Sequence, residues 1–82
     1  MIFLVKIEVM PRAHTPESAA IWMALQRGGY ECVASLRKGK VFALKITAAD
    51  ANDAHDTAAL LCLNYLVEPN TEQHEIVSVR EG

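Results

Sequence analysis

Hydrophobic and polar positions alternate from the first residues. In MIFLVKIEVM, Phe3, Val5, Ile7 and Val9 share one face while Lys6 and Glu8 lie on the other. A period of two predicts a strand with one buried face, ending at Pro11. Thr15-Pro16-Glu17 reads as a helix start, with Thr15 as N-cap, Pro16 at the first helical position, where its missing N–H costs nothing, and Glu17 near the positive end of the dipole. Gly28-Gly29 marks that helix's end. Between them Ala20, Ile21, Ala24, Leu25 and Gly28 form a stripe spaced by three and four, small enough to predict a helix lying close to a sheet. Trp22 and Met23 follow Ile21 directly and cannot all join the stripe, so one large apolar side chain is expected to face outward. An exposed indole suits an interface, and a helix wedged under neighbouring loops would hide it equally well.

Tyr30 to Arg37 and Lys40 to Thr47 are two strand-like runs around Lys38-Gly39, which predicts a hairpin with Gly39 supplying a positive φ. In the second run Phe42, Leu44 and Ile46 oppose Val41, Ala43 and Lys45. Asp50 or Asn52 then caps a second helix, whose apolar positions Ala54, Ala58, Leu61, Cys62 and Tyr65 repeat at helical spacing until Pro69. Asp50, Asp53 and Asp56 fall on its polar face, where solvation is the expectation. His74 to Arg80 supplies a last strand. The order β-α-β-β-α-β predicts an α+β two-layer sandwich of ferredoxin-like type, two helices on one face of an antiparallel sheet. The other face is left open. Leu4, Met10 and Leu36 fall opposite to the main core pattern, so that face is expected to be partly apolar and to pack on another copy.

Length changes the picture by limiting the core. The 82 residues, 51% hydrophobic and 22% charged, make one folded domain spanning 1–82. A domain of this size buries only about 60 to 65% of the surface its unfolded chain exposes, so its core is marginal and a staple or a partner surface is expected. A net charge of −2 argues against a domain that grips nucleic acid. Lys6 and Glu8 break the N-terminal apolar run, which therefore resembles neither a signal peptide nor a membrane span; the cytosol is the expected location. Cys32 and Cys62 lack CxxC spacing and read as buried small hydrophobes. His14, His55 and His74 show no i, i+4 pairing, and no bound metal is expected. Ser18, Ser35 and Ser78 lie in no nucleophile elbow. Arg37-Lys38-Gly39-Lys40 lacks the glycine spacing and terminal Lys-Ser/Thr of a phosphate loop. It reads as a solvated hairpin tip or as a polar contact.

Four segments together resemble the PurS family, the small subunit of phosphoribosylformylglycinamidine synthase: PRAHTPES (11–18), GGY (28–30), LRKGK (36–40) and CLNYLVEPNTE (62–72). They stand for that family's "PGVLDPQG", "LGY", "VRxGK" and "CxxLLxNPVIE", in the same order and without insertions. Arg12 and Ser18 replace family glycines, Thr15 an aspartate and Glu68 the asparagine before Pro69, so the chain resembles a divergent member. The resemblance implies an accessory subunit of a glutamine-dependent ligase in purine biosynthesis, without catalysis of its own. It would pair with itself as a homodimer or tetramer, bridge synthetase and glutaminase subunits, and assist ammonia transfer. It would bind no cofactor; ATP and magnesium would belong to the synthetase. Arg37, Lys38, Gly39 and Lys40, with the loop of Glu68, Pro69, Asn70 and Glu72, are the expected partner contacts. Trp22, Met23, Leu4 and Leu36 are the expected self-association residues. The alternative is a stand-alone ferredoxin-like module that binds a small molecule or regulates. An enzyme using His14 or His74 would have to turn over substrate alone.

Overall fold

The computed structural model describes residues 1–82. Strand β1 (Ile2–Pro11) is followed by helix α1 (Pro16–Arg27), strand β2 (Lys40–Thr47), helix α2 (Ala51–Leu61) and strand β3 (Glu72–Glu81). The sheet order is β2-β1-β3 with both pairings antiparallel. The α+β class, the antiparallel sheet and the two helices are as the pattern predicts. The run Tyr30–Arg37, however, forms no strand within the chain, and no hairpin closes at Lys38-Gly39. A hairpin partner would have to lie beside β2 at the sheet edge, whereas this segment is tied instead to α1. Trp22 Nε1 and Gln26 Nε2 both donate to the Val33 carbonyl, at 3.2 and 3.1 Å.

The core lies where β1 meets α2. Phe3, Val5, Ile7 and Val9 are buried as their alternation predicts, against Ala54, Ala58 and Cys62 of the helical side. Three small residues spaced by four let α2 approach the sheet closely. Opposite β1, Phe42, Leu44 and Ile46 occupy the same face. Each large aliphatic chain so buried contributes about 1.5–3 kcal/mol. Asp50 caps α2, accepting from Asp53 N at 2.8 Å, while Asp53 accepts from Ala49 N at 3.0 Å. These two carboxylates act as helix caps, leaving Asp56 exposed.

Beyond Leu61 the helix widens into a π-turn, Cys62–Leu66, closed by Val67 N donating to the Cys62 carbonyl. The extra residue shifts the helical phase. Tyr65, expected on the buried stripe, is therefore 80% exposed.

Helix α1 departs most from expectation. Its capping follows the sequence: Thr15 accepts from Ser18 N, Gly28 caps the end, and Gly29 takes φ 89°. Its apolar stripe does not lie on the sheet, for Ser18 is the helix's single buried residue. The helix and the segment after it form an arm, and the radius of gyration is 16.1 Å, against about 12 Å for a compact chain of this length. Cys32, expected buried, lies exposed on this arm, whereas Cys62 is buried.

Candidate functional site

Antiparallel pairing on both sides of β1 collects three connections at one end of the sheet. Lys40 opens β2 opposite Val9, and Glu72 opens β3 opposite Pro11. The residues leaving β1 and those entering β2 and β3 therefore adjoin. Arg12 joins the first and last of these, its backbone N donating to the Thr71 carbonyl at 2.8 Å and its Nε to the Pro69 carbonyl at 3.1 Å. Arg37 Nη2 donates to the Pro11 carbonyl at 2.7 Å. Ser18 Oγ, buried at the start of α1, accepts from Lys38 N at 2.9 Å.

Two ion pairs cross this end. Lys38 meets Glu17 at 2.9 Å, and Lys40 reaches past β1 to Glu72 at 3.0 Å. The Lys38 hydrogen bond and charge hold the Glu17 carboxyl below its ordinary value. Glu72 is lowered first by the backbone N–H of Glu68 and then by Lys40. Between the pairs lies an open groove of about 530 Å³, bordered by Val9, Thr15, Pro16 and Gly39 as well as the four charged residues. Its two cations and two carboxylates cancel, so it has little net attraction for a free anion. Arg37, in contrast, bonds a neutral carbonyl and belongs to no ion pair.

Gly39 does not have the positive φ expected of a hairpin turn; Gly29 is the one residue with it. The need at Gly39 is for space. A Cβ there would meet Met10 Sδ and lie 2.5 Å from the Val9 carbonyl oxygen. In the connection before β3, Glu68 Oε1 accepts from Asn70 N at 3.2 Å and Glu68 N donates to Glu72 Oε1 at 2.9 Å, which closes the loop 68–72 on itself.

A family model described as PurS, phosphoribosylformylglycinamidine (FGAM) synthase, matches residues 3–80. The chain belongs to the PurS family. Among solved structures, it is 28% identical to the purS subunit of phosphoribosylformylglycinamidine synthase from Thermotoga maritima, with TM-score 0.85, over 100% of this chain and 93% of that one. It is likewise 28% identical, with TM-score 0.85, to a chain in the structure of PurLQS from Thermotoga maritima, over 100% of this chain and 99% of that one. PurS of B. subtilis is 26% identical, with TM-score 0.79, over 96% of this chain and 99% of that one. No curated protein matches.

The family's loop positions are those that the fold brings together: 11–18, 36–40 and 68–72 meet at one end. Of the substituted residues, Arg12 and Ser18 hold these loops to one another, while Glu68 closes its own loop. Sequence reading missed Arg12, Glu17 and Ser18 as members of this cluster. Their partners stand 57, 21 and 20 residues away, so no local spacing announces the contacts. The self-association candidates divide into two groups. Leu4 lies on the face of the sheet away from α2. Trp22 and Leu36 line a hollow on the arm with His14, and Met23 is 53% exposed. The histidines do not gather: His55 Nδ1 lies 3.9 Å from Asp56, and His74 faces β1 opposite Val9.

Proposed function

We propose that this chain is the small, noncatalytic subunit of a phosphoribosylformylglycinamidine synthase, bridging a synthetase and a glutaminase subunit and helping ammonia pass between them in purine biosynthesis. The observation that carries the reading is the match along the whole chain to a component of PurLQS. The joined loop end agrees with it. That end is a polar surface with two guanidiniums, Arg12 and Arg37, outside any ion pair, of which Arg37 is suited to a two-pronged carboxylate contact from another subunit. ATP and magnesium belong to the synthetase in this reading, and the complex works in the cytosol.

Self-pairing completes the proposal. The chain exposes 5809 Å², where a compact protein of 9.0 kDa exposes about 4,900 Å². A homodimer or tetramer would cover the arm and the open sheet face.

The test is reconstitution with the synthetase and glutaminase, reading co-purification and glutamine-dependent amidine formation. Both should require this chain, and Arg37→Glu should weaken assembly while leaving the isolated chain folded. Unchanged activity without the chain would overturn the bridging role. A groove of about 530 Å³ is also of a size that small ligands use, which favours a stand-alone binding module as second reading. Tight small-molecule binding by the isolated chain in calorimetry would favour it.

A further inference from the structure

The face of the sheet away from α2 sorts its charges by row. Strand pairing places Lys45 and Arg80 on either side of Leu4, Ala43 and Ser78 on either side of Lys6, and Val41 and Glu75 on either side of Glu8. Two adjoining rows thus hold Lys6, Lys45 and Arg80, and the third holds Glu8 and Glu75. All three cations are exposed, and none belongs to an ion pair within the chain. In a chain of net charge −2, this gathering concentrates positive charge against the overall balance. Leu4 is half-buried and floors an open hollow of about 160 Å³, bordered by Lys6, Lys45, Arg80 and Ser78 and by no carboxylate.

We infer that this hollow binds a phosphate group, either free or as the end of a phosphomonoester. The inference does not depend on the bridging role. Neighbouring strands lie about 5 Å apart, so Lys45 and Arg80 leave backbones about 10 Å apart and border the hollow from opposite sides. Lys6 borders it from a third direction, about 7 Å along β1 from Leu4. Three separate cations with the Ser78 hydroxyl suit a tetrahedral anion carrying three or four acceptor oxygens better than a planar carboxylate carrying two. Arg80 offers a two-pronged contact and the lysines offer point charges. Each contact is solvent-exposed and weak by itself, so affinity depends on their convergence and falls as salt is added. The groove at the other end of the sheet differs in this respect, because its lysines are already paired with Glu17 and Glu72.

Glu8 gives the inference a sign. It stands two residues from Lys6 on the same face, near enough to oppose an incoming anion without closing an ion pair with Lys6. A second copy laid over this face would be a rival source of negative charge, through its own Glu8 and Glu75, and the measurements separate the two.

Calorimetry of the full chain with inorganic phosphate, in a slightly alkaline buffer of low ionic strength, should show saturable binding with a Kd of about 1 mM or tighter. Glycerol 3-phosphate in a parallel titration distinguishes the free anion from the ester, the tighter of the two identifying the source. Arg80→Gln and Lys45→Gln should each weaken binding about 3-fold. Glu8→Gln should tighten it, and Arg27→Gln, on the arm, should leave it unchanged. Sedimentation equilibrium in phosphate and in chloride of equal ionic strength reads the rival. Association that phosphate leaves unchanged or strengthens agrees with the inference; association that phosphate weakens assigns the cluster to a second copy's carboxylates and overturns it. Absence of saturable binding would overturn it too, as would a Glu8→Gln variant that binds no tighter or an Arg27→Gln variant that loses as much as Arg80→Gln. No other subunit enters these measurements, so their failure is distinct from failure of the bridging role, which the reconstitution reads separately.

Discussion

Gly29 and Gly39 are both required, for opposite reasons, and substitution separates them. Gly29 has φ 89° with nothing within 4 Å of where a Cβ would sit. Alanine there meets only backbone strain, about 1–2 kcal/mol, and asparagine, which tolerates the left-handed region, should cost less than alanine. Gly39 lies outside that region, and an added Cβ would come within 2.5 Å of the Val9 carbonyl and closer to Met10 Sδ. Overpacking of this kind costs about 1–3 kcal/mol. The Met10 thioether can swing aside, but the Val9 carbonyl belongs to the central strand and cannot move without disturbing its pairing with Lys40. Asparagine at 39 should therefore be worse than alanine, reversing the order at 29. Each kcal/mol lowers Tm by about 4–8 °C in a domain of this size, well within reach of thermal unfolding followed by far-UV circular dichroism. Adding Met10→Ala to Gly39→Ala should recover only part of the loss. If Gly39→Asn is milder than Gly39→Ala, or if either leaves Tm unchanged, the assignment of Gly39 to close approach is refuted.

Acid should loosen the loop end before it unfolds the sheet. Glu17 and Glu72 have folded pKa values below their ordinary 4.5, so their contribution is present above 4.5 and is lost as pH falls through the lowered values. Glu17 is exposed and Glu72 half-buried; hydrogen exchange should quicken at Glu68, whose backbone N–H donates to Glu72, below pH 4.5, and Glu72→Gln should remove that pH dependence. Thiol labelling should distinguish the cysteines: Cys32 is exposed and should react at once, while Cys62 is buried, with its thiol pKa raised by desolvation, and should react only on unfolding. Equal labelling rates would contradict the placement of Cys62 in the core.

Local physics was legible in the sequence. The alternation of Phe3, Val5, Ile7 and Val9 specified the central strand, Thr15-Pro16 specified the first helix start, Asp50 or Asn52 marked the second, where Asp50 is the cap, and Ala54, Ala58 and Cys62 specified the face that α2 buries. Each of these depends on neighbours within one or two turns, which a linear pattern records. The joint order of four short segments was enough to suggest the family before any fold was seen. What only the tertiary structure decided depends on where distant segments go. Strand-like residues at 30–37 remain unpaired because Val33 is held by Trp22 and Gln26 on the arm. The π-turn at 62–66 rotates Tyr65 out of a stripe that a regular helix would have kept buried. The loop end exists because two antiparallel pairings with β1 bring Arg12, Lys40 and Glu72 together across as many as 60 residues. Pairing fixes which ends of the strands adjoin, and no periodicity along the chain carries that information.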